Sequence, residues 1–222
     1  MLILALDTSS STVTVALCEV VDGEIRTRAE RQETAANRHG ERLASLIAAA
    51  LAESRAHPND LGAVVAGLGP GPFTGLRVGI VTARAMSDAL GIPAYGVCSL
   101  DGIARRFVDD GPFAVVTDAR RKQVYWALYD ATGARTAGPE LGPPDQVAAM
   151  LTARTTEVVG AGALLYPDAF RGFAISDGDP APRAADLVWA ADLTGEPGLL
   201  TPLYLRRPDA QPPGRPKAVT PR

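Results

Sequence analysis

Gly67-Leu68-Gly69-Pro70-Gly71-Pro72-Phe73-Thr74-Gly75-Leu76-Arg77-Val78-Gly79 follows the apolar run Ala63-Val64-Val65-Ala66 and precedes a long apolar segment, so it reads as strand, tight loop and helix. Glycine suits a backbone that turns through positive φ or lies against another surface, and Pro70 and Pro72 stiffen what the glycines loosen. The loop is shaped, not floppy. Thr74 is placed to cap a helix from about Gly75 to Leu90, which Gly91 and Pro93 then stop. Two readings of the loop stay open. Its backbone at Gly69, Gly71, Thr74 and Gly75 is a candidate vestigial phosphate site, or it is a plain strand-to-helix connection. The P-loop pattern is not met, because no Lys-Ser or Lys-Thr pair follows the glycines, and neither is the dinucleotide fingerprint.

Working outward, 222 residues suffice for one large or two small domains with a sizeable core. The formal net charge is -3 and the isoelectric point is near 5.4, whereas a chain that alone held a nucleic-acid backbone is expected to be basic. Contact with RNA is therefore expected through a partner. Cys18 and Cys98 are the only cysteines, which fits neither a structural zinc site nor a disulfide scaffold and suits a reducing cytoplasm. The run Leu2-Ile3-Leu4-Ala5-Leu6 has no basic flank and ends at Asp7, so it reads as a buried first strand and not as a signal peptide or membrane span.

Val13-Thr14-Val15-Ala16-Leu17 begins with the alternation of a half-buried strand, and Asp7-Thr8-Ser9-Ser10-Ser11 links it to the first as a hairpin. Asp22-Gly23 turns into a third strand over Glu24 to Glu30. In actin-like ATPases and sugar kinases an acidic residue at this first turn helps hold metal and phosphate. Those proteins place glycine nearby, and Thr8 and Ser9 stand there here, which favours a turn closed by its own hydroxyls. His39 to about Glu53 is a helix whose Leu43, Leu46, Ile47, Ala50 and Leu51 make one stripe and whose Ala44, Ala48 and Ala52 make a second, small-residue row. His39 and Glu41 do not share a helix face, and no metalloprotease motif is present. The next helix, Gly75 to Leu90, is apolar nearly all round; it is either sealed within its own domain or offers its Gly79 and Ala83 side to a partner helix.

Ser99 marks the boundary between two halves. The second half starts again with a strand, Phe113 to Thr117, then Asp118-Ala119-Arg120-Arg121, then a strand from Gln123 to Tyr129, so an acidic turn recurs as at Asp7. Here Arg120 and Arg121 fill the place of phosphate-binding glycines, and an ion pair from Asp118 to one of them is expected. Val158-Val159-Gly160-Ala161-Gly162-Ala163 reads as a strand and a plain turn, and Ala184 to Leu193 as a helix entered through Pro182. The repeated order of three strands, helix, strand and helix implies an α/β protein of two lobes, over residues 1–99 and 100–209. Residues 210–222, Pro-rich and basic, are expected to be a disordered tail.

The string Gly-x-Gly-Pro-Gly-x-Phe-Thr-Gly-Leu-Arg-x-Gly at 67–79 resembles the signature of the TsaB (YeaZ) family of tRNA threonylcarbamoyladenosine biosynthesis. Pro72 departs from it where the family usually has Ser. Asp118-Ala119-Arg120, with Val124-Tyr125, and Pro202-Leu203-Tyr204-Leu205-Arg206-Arg207-Pro208 extend the resemblance from Leu2 to about Asp209. It implies a degenerate ribonuclease-H-like fold of the actin-like ATPase and sugar kinase superfamily. It also implies a non-catalytic subunit that pairs with a TsaD-type catalytic subunit. Together with a TsaE-type ATPase and a threonylcarbamoyl-adenylate synthase, that pair modifies the adenosine beside the anticodon of tRNA. ATP and metal are then expected on the partners, with no cofactor, metal or catalytic residue on this chain. The implied contact, also used for a homodimer when the chain is alone, involves His39, Leu43, Ile47, Leu76, Gly79, Ile80 and Ala83. Two alternatives remain: an ATPase or phosphotransferase using Asp7, Asp118 and the loop, and a glycoprotease-like peptidase for which the sequence nominates no nucleophile.

Overall fold

A computed structural model describes residues 1–34, 39–108, 111–176 and 181–206. The first strand, β1 (Leu2–Asp7), is continuously apolar because both of its faces are covered. Leu4 and Leu6 point into one core and Ile3 and Ala5 into another. β1 pairs antiparallel with β2 (Thr12–Val21), which pairs antiparallel with β3 (Glu24–Thr34). On its other side β1 pairs parallel with β4 (Leu61–Gly67), and β4 pairs parallel with β5 (Ala94–Val97). Helices α1 (His39–Glu53) and α2 (Phe73–Leu90) cover the Leu4 face.

The second half repeats this plan. β6 (Phe113–Asp118) pairs antiparallel with β7 (Val124–Tyr129), and β7 antiparallel with β8 (Arg135–Gly142). β9 (Glu157–Val159) joins the other side of β6 in parallel, followed in parallel by β10 (Ala174–Ile175). The two sheets thus have the orders β3-β2-β1-β4-β5 and β8-β7-β6-β9-β10. Strand by strand the pairing is the same, so the two halves share one topology, as the recurring acidic turn leads one to expect. Short helices α4 (Pro144–Leu151) and α5 (Ala161–Leu165) back the second sheet on one face.

Between the sheets lie α3 (Ser99–Ala104) and α6 (Ala184–Ala190). Leu100 and Ile103 of α3 pack on the second sheet, whereas Leu187 and Val188 of α6 pack on Ile3, Ala5 and Val65 of the first. The two helices touch at Gly102 and Leu187, and an ion pair of 2.7 Å joins Arg106 to Asp186. α6, far along the chain, thus covers the second apolar face of the first sheet. Leu200 likewise joins the first core.

Three local expectations change. β3 runs to Thr34 and not Glu30, since it follows β2 to its first residue, Thr12. Thr74 does not cap α2; the helix opens at Phe73, two residues earlier than expected, behind Pro72, and no described side chain caps it. At the far end Gly91 adopts φ 65° and closes the helix as predicted. The helix at the C-terminal end stops at Ala190 and not Leu193. The expected tail at 210–222 lies outside the described residues, as do Arg207 and Pro208 of the C-terminal motif.

Candidate functional site

The ends of β1 and β6 carry their acidic turns to one cleft between the lobes. It is a cavity of about 320 Å³, lined by Ser9, Ser10, Ser11 and Thr12 from the first turn and by Thr117, Asp118 and Arg120 from the second. Pro70 and Pro72 of the glycine loop and Ser99 complete that wall. The two acidic turns and the glycine loop thus meet at one cleft.

Asp7, however, does not face the cleft. It is fully buried; Oδ1 accepts the Ser9 amide at 2.6 Å and Oδ2 accepts the Ser99 hydroxyl at 2.5 Å. Burial pushes its carboxyl above the ordinary value, against the lowering pull of the bonds from Ser9 and Ser99. The Ser99 oxygen in turn accepts the Gly69 amide at 3.1 Å, and the Ser99 amide donates to the Gly69 carbonyl at 2.8 Å. A carboxylate at the first turn thus ties the glycine loop to the strand ends. Gly67 is required here, because a methyl group on it would overlap the Asp7 carboxylate. Gly71 lies equally close to the Ser9 backbone, which a side chain there would strike.

Thr8 performs a second tie. Its hydroxyl donates to the Gly75 carbonyl at 2.7 Å and accepts the Gly79 amide at 3.1 Å, bridging one turn of α2. A side chain at Gly79 would run into that oxygen. Glycine at 79 thus lets α2 pack closely on Thr8, next to β1.

Asp118 is exposed, and its Oδ1 accepts the Arg120 amide at 2.8 Å, an ordinary turn bond. The residues that follow are unusual. Arg120, Arg121 and Lys122 have φ of 58°, 54° and 57°, three successive non-glycine residues in the left-handed region. Arg120 lines the cleft, and Arg120, Arg121 and Lys122 are all exposed. Beside them Arg206 donates to Gln123, and Arg77 donates to the Tyr204 hydroxyl at 3.0 Å.

The residues named for a partner contact need correcting. Leu43, Ile47, Leu76, Gly79, Ile80 and Ala83 all sit on the inward faces of α1 and α2 and are buried against their own sheet. Residue 39 begins α1, and its side chain lies outside the described residues. The outward faces present Ala44, Ala48 and Ala52 on α1, and Val81, Ala85 and Ala89 on α2. Val81 is 62% exposed, high for a valine. The Ala44 row was legible in the sequence; the direction in which it pointed was not.

Elsewhere the chemistry is quiet. Burial pushes the Cys98 thiol up to about 12 and the Cys18 thiol up to about 11, so neither is a poised nucleophile. Among the described residues no group of three or more His, Cys, Asp or Glu side chains is placed to hold a metal ion. No described helix is long and apolar enough to cross a membrane.

Comparison with known proteins joins these features to relatives. The family model described as TsaD, tRNA N6-adenosine threonylcarbamoyltransferase, matches residues 28–164. An uncharacterized protein of Mycobacterium tuberculosis is 44% identical over 211 residues, covering 95% of this chain and 94% of that protein. The tRNA threonylcarbamoyladenosine biosynthesis protein TsaB of Bacillus subtilis is 36% identical over 134 residues, 58% of this chain and 55% of that protein. The solved structure of YeaZ from Pseudomonas aeruginosa matches with a TM-score of 0.74 at 27% identity, over 92% of this chain and 99% of that one.

Proposed function

The chain belongs to the TsaB (YeaZ) family, and on that premise we propose that it acts in tRNA threonylcarbamoyladenosine biosynthesis as a partner subunit without catalysis of its own. It docks a TsaD-type subunit that carries ATP and metal, in a system that also includes a TsaE-type ATPase and a threonylcarbamoyl-adenylate synthase. The product is the modified adenosine beside the anticodon. The observation that carries this reading is the outward band of α1 and α2, where Ala44, Ala48 and Ala52 lie on one helix and an exposed Val81 on the other. Small side chains let a second helix pair approach closely, and an apolar band of this kind on a monomer's surface asks for a cover. The same band serves a homodimer when the chain is alone.

The sealing of Asp7 argues in the same direction. A phosphotransferase would need that carboxylate at a metal, and here both of its oxygens are committed inside the protomer.

Two measurements test the proposal. Ala48→Arg and Ala85→Arg place a charge on the outward band, where neither disturbs the core. Each is expected to abolish co-purification with the TsaD-type subunit while leaving the circular dichroism unchanged. Co-purification at the wild-type level overturns the docking surface. Depletion of the chain in its own cell should remove threonylcarbamoyladenosine from digested tRNA; its persistence overturns the functional reading. Micromolar binding of magnesium-ATP by the isolated chain, lost in Asp118→Asn, would reinstate the phosphotransferase.

A further inference from the structure

Next to the interlobe cleft lies a second groove of about 330 Å³ that neither the docking surface nor the Asp7 network uses. Arg120, Arg121 and Arg206 line it together with Phe73 and Tyr204. Among the described residues no acidic side chain lines it. The protein's overall charge is -3, so this local excess of arginine is a feature of the groove and not of the surface at large.

The aromatic wall is preassembled. The Phe73 and Tyr204 rings lie 4.7 Å apart, centroid to centroid, and the Arg77 guanidinium sits 6.0 Å and 5.8 Å from their centres. Arg77 is also hydrogen-bonded to the Tyr204 hydroxyl, and yet Tyr204 stays 40% exposed. The basic wall is held in a costly shape: the three consecutive left-handed residues 120–122 carry long charged side chains where glycine or asparagine would be the easy choice. Strain of this kind persists where it places something useful.

We propose that this groove binds a single strand of RNA, with phosphates on the Arg120, Arg121 and Arg206 wall and an unstacked base on the Tyr204 and Phe73 wall. Arginine and aromatic rings gathered in one narrow groove are the recognition chemistry of single strands, since a base inside a duplex has no free face for a ring. The volume suits about one splayed nucleotide at a time, near the lower limit for small-molecule sites. The adjoining cleft shares Pro72, Arg120 and Tyr125, so a strand has room to continue. The proposal rests on the tRNA reading above for the RNA that is met, a tRNA single-stranded loop; the chemistry of the groove stands without it.

The test uses the full chain and a fluorescent eight-nucleotide single-stranded RNA, followed by anisotropy at low and moderate salt. Saturable binding that weakens with salt is expected. Arg120→Glu with Arg121→Glu should raise Kd at least about tenfold and flatten the salt dependence. Tyr204→Ala should raise Kd about fivefold or more with the salt dependence unchanged. Arg26→Glu, on the edge strand of the first sheet opposite Glu19, should bind as the wild type does. Absence of binding by the wild type overturns the proposal, and so does equal loss in Arg26→Glu. Equal affinity for an abasic strand of the same length, or tighter binding of duplex RNA, does so as well. If RNA fails to bind but depletion still removes threonylcarbamoyladenosine, the groove is refuted and the family function stands. If RNA binds as expected but the modification survives depletion, the groove stands and the family function is refuted.

Discussion

The two acidic turns occupy the same address in a repeated fold and have opposite fates. Asp7 ends β1 and Asp118 ends β6, each the central strand of a sheet of the same order, and each begins a hairpin to the next strand. Asp7 is fully buried and bonded to Ser9 and Ser99, whereas Asp118 is exposed and bonded to the amide two residues on. The first lobe uses its turn for cohesion: strand, glycine loop and α3 meet at one carboxylate. The second lobe leaves its turn in solvent and extends it with three basic residues in a conformation that costs energy. A repeated topology therefore fixes where a turn sits and not what it is for; the residues packed behind it decide that.

The comparison breaks most visibly at Gly67. Alanine there collides with the Asp7 carboxylate and approaches the Ser99 hydroxyl, so the buried network must open to admit it. The expected loss is about 4 kcal/mol in urea unfolding, from overpacking plus unmade buried hydrogen bonds. Adding Asp7→Ala vacates the space, so the double variant should lose less than the sum of the two singles. Simple additivity would show that the Asp7 network does not set the need for glycine at 67.

Replacing each aspartate by alanine sharpens the contrast. Asp7→Ala leaves the Ser9 amide and the Ser99 hydroxyl buried without an acceptor, at about 2–3 kcal/mol. Asp118→Ala should stay within about 0.5 kcal/mol, because water replaces its turn bond. The Asp7 effect also depends on pH. Its folded carboxyl lies above the ordinary value, so the folded state holds the proton more tightly than the unfolded chain. The stability this provides is fully present below the ordinary value of 3.8 and is lost as pH rises through the folded value. The gap between wild type and Asp7→Ala should accordingly narrow as pH is raised from about 4 in unfolding titrations. A gap that widens would place the folded carboxyl below its ordinary value and contradict the burial account. Other buried groups, such as Asp101, are common to both proteins and cancel in the difference.

What the sequence made legible follows from the range of the interactions concerned. Continuous apolar strands, hairpin turns and a glycine stop after α2 are local, and they place both sheets correctly. The burial of Asp7 is not local. It depends on Ser99, 92 residues away, and the aromatic wall of the groove depends on Arg77 meeting Tyr204, 127 residues away. Periodicity found both stripes of α1 but not which one faced the sheet, since an alanine row flanks a leucine row and only the packed sheet distinguishes them. Placing the Gly79 and Ala83 side outward failed for a specific reason: small residues admit any close neighbour, and here the neighbour is the protein's own Thr8. The Arg-Arg-Lys run at 120–122 was legible as charge, but its left-handed backbone was not, because nothing in those residue types asks for it.

That backbone supplies the smallest expected effect and the one that separates strain from charge. A left-handed conformation costs an L-residue about 1–2 kcal/mol, and glycine there removes the cost while adding about 0.5–1 kcal/mol of unfolded-state entropy. Lys122→Gly and Arg121→Gly should therefore each raise stability by about 0.5 kcal/mol, the margin between those two terms. Their effects on RNA should differ, since Arg121 lines the groove and Lys122 does not. Arg121→Gly should weaken the strand while Lys122→Gly leaves it nearly unchanged. Equal stability gains with unequal binding would mean that the second turn bears its strain in order to hold an arginine in place. Should both variants lose stability, the turn is held by contacts of its own, and the contrast with the Asp7 turn narrows to one of burial alone.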